Sequence, residues 1–352
     1  MLTRKVSCGT IRIIYPFLLL NHLRIEGYRI NAQFINFFVP DPRYYNNFTF
    51  VQFQRAVTHR HLDLLNYFLL NIRNQAKVPV IYEIDDLLTD IPDWNYAHDY
   101  YNKFTEPIEK IMSKVDGIIT STEFLKQIYS KHNEKVSVIP NHLPKFIWGN
   151  IIPKHEKPIP SKLRILYQGS ENHFCKAFYA KKKGRKGGDF GDGLIDFIRR
   201  TTDKYQWVLM GGRPLELVDL MDSGVIEYHK WQNIFTYPNY VKSLNIDIGI
   251  APLKDNVFNK SKSNIKNLEY VALGLPAVYS DIEPYSHCYM KAKTDDEFID
   301  KIEKLADSPD LRKLTFEYDY DKVKEQLWWE EYDNVRKFIE TYMAMFGKCF
   351  KK

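Results

Sequence analysis

Short β-rich runs alternate along this chain with stretches whose apolar positions recur at helical spacing, the pattern of parallel α/β layers. In the first half, apolar runs predict strands near residues 11–15, 34–39, 49–53, 78–84, 117–120 and 136–139. Helical periodicity fills 56–75, 102–113 and 122–131 between them. Residues 148–162, WGNIIPKHEKPIPSK, then break the pattern with three prolines and several charges, the composition of a linker. A second series follows, with strands near 164–167, 207–210, 225–228, 247–251 and 277–279. The stretch 321–345, containing LWWEEYDNVRKFI, predicts one long helix that Trp328 and Trp329 anchor across a domain junction. The expected fold class is α/β: two Rossmann-like domains facing across a cleft, with a C-terminal helix crossing the junction. Its parts are residues 1–148, a linker over 149–162, a second domain over 163–320, and a crossing helix and tail over 321–352.

Bulk properties narrow the class without naming a chemistry. A chain of 352 residues with 44% hydrophobic and 27% charged positions has the makings of an ordinary globular protein. Its formal charge of +6 biases it toward anionic partners, but no helix-turn-helix, zinc or RNA-recognition pattern accompanies it. Four scattered cysteines share no metal-ligand spacing and point to reduced thiols in a cytoplasm. The apolar run 11–20 is too short to span a bilayer and contains Pro16, and no small-residue cleavage site follows it.

Candidate chemistry concentrates in 258–285, FNKSKSNIKNLEYVALGLPAVYSDIEPY, directly behind the apolar strand 246–253. A helix beginning at Ser261 puts Lys262, Lys266, Glu269 and Leu273 on one stripe. Ser261 and Ser263 would then occupy its first turn, where free N–H groups and the helix dipole attract anions. The glutamate would lie about 10 Å further along, at about 1.5 Å per residue. That spacing suits a diphosphate at one end and a sugar hydroxyl at the other. The plainer alternative is an amphipathic helix with solvated lysines.

This segment resembles the donor-binding region of GT-B glycosyltransferases, the family 4 (glycosyl transferases group 1) type above all. The resemblance implies that Glu269 binds the ribose of a nucleotide sugar. Family members carry a second glutamate eight residues earlier, which contacts the transferred sugar; here that position is Ser261. The departure leaves the sugar, and retention or inversion at its anomeric carbon, open.

Other motifs extend the resemblance over roughly residues 80–285. VPVIYEIDDLLTDIPDWNYAHDYY places Glu83, Asp85 and Asp86 at a strand end. Adjacent carboxylates suit a divalent cation, as in metal-dependent GT-A enzymes, though the pair is DD and not DxD. The longer string is similar to the IDDLL…IP segment of GT-B enzymes, which implies that Asp85, Asp86 and His98 line the cleft on the acceptor side. There either aspartate would orient the acceptor hydroxyl or act as general base. Ser121 and Thr122 cap a helix, and Pro140–Asn141 ends a strand in a "VIPN" sequence typical of the same group. YQGSENHF resembles the donor-phosphate loop, implying donor contacts at Gly169, Ser170 and His173. The basic run with Lys181, Lys182, Lys183, Arg185 and Lys186 supplies, in Lys186–Gly187, a counterpart of the family's "KG" lysine. Arg213 follows a strand in VLMGGRP, near where a nucleotide would lie.

The resemblance thus implies transfer of a sugar from a UDP- or GDP-sugar to an acceptor hydroxyl, without a required metal. Lys262 and Lys266 would stabilise the departing diphosphate. The acceptor would be a glycan or an anionic polymer, hydroxymethylated bases of phage-type DNA being the polyanionic case. A noncatalytic basic nucleic-acid-binding protein is the rival from another class. Oligomeric state stays open.

Overall fold

The computed structural model describes residues 9–22, 24–25, 28–29, 31–35, 38–149, 162–175 and 187–346. Two wholly parallel sheets organise them, beside a small antiparallel hairpin of β1 (Arg24–Ile25) and β2 (Tyr28–Arg29). The first sheet runs in chain order: β3 (Val51–Gln54), β4 (Val80–Glu83), β5 (Gly117–Thr120) and β6 (Val136–Val138). Every position of β4 and β5 is buried, as expected of strands covered on both faces. Helices His59–Phe68 and Glu123–Tyr129 start at the side-chain caps Thr58 and Thr122.

The second sheet holds β7 (Leu163–Gly169), β8 (Tyr205–Gly211), β9 (Glu227–His229), β10 (Ile248–Ala251), β11 (Ala277–Ser280) and β12 (Lys291–Ala292). Its spatial order is β12-β11-β10-β7-β8-β9, so the order of winding reverses between β7 and β10. Such a reversal opens a crevice beyond the strand carboxyl ends, where open α/β sheets take ligands. The two long strands end in register at Gly169 and Gly211. Gly211 has φ +93°, and a Cβ there would collide with the Gly169 carbonyl; only glycine permits that approach.

After the second domain the chain returns to the first. Helix Tyr332–Phe346 lies against the amino-terminal sheet, with Tyr342 donating its hydroxyl hydrogen to Gln52 Oε1 at 2.8 Å. One apolar cluster runs from Ile81, Ile119 and Ile139 through Trp328, Trp329 and Phe338 to Tyr270 and Tyr279. The two domains therefore share core at their junction. Separate clusters cover the outer faces of the two sheets. Among the described residues no helix is long and apolar enough to cross a membrane.

Four sequence expectations are corrected. Residues 11–15 form no strand; a π-helical turn, Thr10–Ile14, leads into helix Tyr15–His22. The short apolar run carries no period that separates helix from strand, and Arg12 decides the outcome. Its guanidinium is buried against the strand ends, donating to Glu83 Oε1 (2.7 Å), Asn141 Oδ1 (3.2 Å) and the carbonyls of Thr120 (3.2 Å) and Ile139. No strand forms over the described residues of 34–39. The long C-terminal helix is two, Pro309–Val323 and Tyr332–Phe346. Between them Leu143 N donates to Leu327 O at 2.8 Å and Trp329 N donates to Leu143 O at 3.0 Å, so these backbone groups bond across the junction and not along a helix. Finally, the 261–273 helix begins later than expected: Val257–Lys260 is a separate turn and the helix proper is Ile265–Ala272. Of the linker 149–162, residues 150–161 lie outside the described residues.

Candidate functional site

The crevice between β7 and β10 is built from several segments that lie apart in sequence. Strand alternation sends Tyr167 to one face of β7 and Gln168 to the other. Gly169 ends the strand; a side chain there would meet the Tyr167 hydroxyl. A turn, Glu171–His173, follows the exposed Ser170 and brings His173 back into the interior, with His173 N donating to Ser170 O at 3.2 Å.

His173 Nδ1 lies 2.7 Å from Asp189 Oδ2. The other carboxylate oxygen, Oδ1, accepts from Asn259 Nδ2 (2.7 Å) and Lys254 N (3.1 Å). Asp189 thereby ties the turn after β7 to the loop after β10. Burial pushes the His173 imidazole down to about 3, and the charges of Lys266 and Lys262 add to the effect. Burial opposes ionisation of Asp189, but the His173 hydrogen bond and the Lys262 charge outweigh it and hold the carboxyl below its ordinary value. A neutral imidazole donating Nδ1–H to a carboxylate is the consistent assignment.

Helix Ile265–Ala272 supplies the rest. Lys266 is buried with its Nζ 4.7 Å from the Tyr167 ring centroid. Burial, reinforced by Lys262, pushes its pKa down to about 7. Glu269, a turn further on, accepts from Gln168 Nε2 at 2.7 Å, and burial pushes its carboxyl up to about 8. Tyr237 lies close enough for the Glu269 charge to act on its hydroxyl. Beyond it, Trp231 stacks on Tyr237 at 18° and packs against Gly211, while 58% of its surface stays exposed.

The Lys266–Glu269 pair has a stability signature. A glutamate raised to about 8 is protonated in the folded protein over pH 4.5–8 but ionised in the unfolded chain, so its contribution to stability falls as pH rises through that window. Glu269→Gln should therefore gain on the parent between pH 5 and pH 8, by about 1–2 kcal/mol after allowance for the open part of the carboxylate. Urea denaturation at the two pH values measures this, and a constant difference would refute the shift.

Not all the sequence candidates meet. His173, Lys262 and Lys266 lie within electrostatic reach of one another, Gly169 sits beside His173, Glu269 bonds the neighbouring Gln168, and Ser170 is exposed. Lys262 precedes the helix and rests over the Phe258 ring at 4.6 Å. Ser263 also precedes it, and its hydroxyl accepts from Asn141 Nδ2 of the facing domain at 2.6 Å. Neither serine stands in a helical first turn, and Ser261 is buried with its hydroxyl donating to Phe258 O. Arg213 turns away, paired with Asp222 and stacked over Tyr228 at 5.0 Å. Across the cleft, Arg55 grips both Asp85 and Asp86. His98 opens a short helix and sits 3.3 Å from Asp99 Oδ1. The aromatic segment before it reaches the turn after β7: Asn95 Nδ2 donates to Asn172 O at 2.8 Å. Lys186 and the other Lys181–Lys186 cations lie outside the described residues. Among those described, no group of three or more His, Cys, Asp or Glu side chains is arranged to hold a metal ion.

Five contributors escaped the sequence reading: Tyr167, Gln168, Asp189, Asn259 and Trp231. Tyr167 and Gln168 immediately precede the Gly-Ser turn and look like strand filler. Asp189 follows the basic glycine-rich run, whose composition suggests only a loop.

Four polar atoms at this crevice are buried without a hydrogen-bond partner: Tyr167 OH, Gln168 Oε1, Asn259 Oδ1 and Lys266 Nζ. Each such group costs about 1–3 kcal/mol, so their clustering marks a place shaped for something polar. Two adjacent cations, then an acid–amide pair, then an aromatic shelf can take in turn a multiply charged anion, vicinal hydroxyls and a flat ring.

The sequence matches no protein-family model, and no curated protein matches it. Solved structures do. The crystal structure of Anabaena Alr3699/HepE in complex with UDP and glucose superposes with a TM-score of 0.58 at 9% identity, over 86% of this chain and 80% of that one. The same protein in complex with UDP gives 0.54 over the same shares. This chain has the two-domain GT-B fold.

Proposed function

We propose that this protein is a glycosyltransferase moving a sugar from a nucleoside-diphosphate sugar, UDP or GDP carrying it, to an acceptor hydroxyl. The observation that carries the reading is the cluster of partnerless buried polar atoms at the β7/β10 reversal. The diphosphate gives Lys266 Nζ its missing acceptors and restores its charge, with Lys262 and His173 alongside. Gln168 and Glu269 take the ribose hydroxyls, and Trp231 offers a face to the base. UDP in the structurally similar HepE complexes supports the assignment of the nucleotide.

In the reaction, the two ammonium groups stabilise charge that develops on the leaving diphosphate as the glycosidic bond breaks. Contacts between the domains exclude water, which would otherwise hydrolyse the donor. On the acceptor side, the Arg55 clamp fixes Asp85 and Asp86 in place, which suits orientation of a hydroxyl. The acceptor itself is a glycan or an anionic polymer. A steep salt dependence of duplex DNA binding would point to the polyanion, and absence of binding to the glycan.

A panel of UDP- and GDP-sugars assayed for nucleotide release tests the reading. The expected result is slow release from one nucleotide class, accelerated by the acceptor. No release from any donor, with or without a glycan or DNA acceptor, would sink it.

A further inference from the structure

Residues 258–263 belong to the second domain by chain order, and Asn259 is bonded within it, but Phe258, Ser261 and Ser263 are held by the first. Phe258 is buried in the hydrophobic cluster of the amino-terminal sheet, among residues such as Ile84, Leu88 and Leu125. Thr122 Oγ1 donates to Ser261 O at 3.1 Å while accepting from Leu125 N as a helix cap. Asn141 Nδ2 donates to Ser263 Oγ at 2.6 Å. Its orientation is settled from behind, because Arg12 Nη1 donates to Asn141 Oδ1 and must face the amide oxygen. Gln326 Nε2 donates to the Asn141 carbonyl at 3.0 Å and fixes the backbone as well.

The residue between these two grips is Lys262. Its ammonium lies over the Phe258 ring, and its charge acts on His173, Asp189 and Lys266. We infer that Thr122 and Asn141 are positioning residues that aim Lys262 at the donor phosphates, so that this lysine is held in place from the amino-terminal domain. Lys266 and Glu269 sit on a helix of the second domain, and His173 is bonded to Asp189 of that domain. Arg12 gains a role here: it sets the amide that holds Ser263.

This inference rests on the donor-site assignment above, and binding of UDP and GDP to the unaltered protein checks that assignment first. A double-mutant cycle on nucleoside-diphosphate affinity then tests the latch. Lys262→Ala should weaken binding about 10-fold, the loss expected for one charged contact. Thr122→Val and Asn141→Leu should each cause a loss approaching that, and neither should weaken binding further in a Lys262→Ala background. Thr122→Ser, which keeps the hydroxyl, should bind like the parent. Additive losses, or unchanged affinity in Thr122→Val and Asn141→Leu, would overturn the latch while leaving the donor site standing. Failure of the parent to bind either nucleotide would remove the donor site itself.

Discussion

Lys266→Met should lower sugar-transfer turnover by about 10²–10³-fold while leaving the protein as stable as the parent, or more so. The expected asymmetry follows from where the lysine sits. Its Nζ is buried over an aromatic ring with no hydrogen-bond partner, and burial has already pushed its pKa down to about 7. Holding a cation there costs folding free energy, and methionine, with a similar stem and no charge, removes that cost. What methionine cannot do is stabilise a leaving diphosphate, and loss of one preorganised donor at developing charge has that order of effect. Thermal denaturation measured beside steady-state turnover separates the two. A parallel fall in both would mean that Lys266 is structural.

The second large effect concerns the junction. Trp329→Ala should cost about 3–5 kcal/mol, the range for removing a large buried aromatic. Trp329 is 2% exposed, with its ring centroid 4.4 Å from that of His142 and 5.4 Å from that of Phe338. It lies in the cluster that joins the two sheets, beside the Leu143–Trp328 bridge. A cavity there would open inside the core that the two sheets share. Urea denaturation followed by circular dichroism measures the loss; a change below about 1 kcal/mol would show that the domains do not depend on this shared core.

Much of the fold was legible because its strands are short apolar runs between clear stops. β5 falls where the pattern put it, and Thr122 caps the helix expected after it. The misreadings have local causes. Residues 11–15 are apolar enough for a strand, but Arg12 must reach three strand ends, a tertiary demand that no local period records. The tryptophan pair does anchor the crossing, though by breaking the helix and not by extending it. At the site, Lys266 and Glu269 were readable from helical spacing. Lys262 and Ser263 were not placed correctly, because the chain leaves the helix there to be gripped by Thr122 and Asn141, far away in sequence. Asp189 was missed for the same reason: its importance comes from three partners on two other segments.

The central claim is that the crevice at the β7/β10 reversal takes a nucleoside diphosphate on Lys266. Isothermal titration of UDP and GDP into the parent and into Lys266→Met tests it most directly. The parent should bind one of the two nucleotides saturably, and the variant should lose at least about 10-fold in affinity, as for one buried charged contact. Equal affinity in the two proteins, or no binding of either nucleotide by the parent, would contradict it.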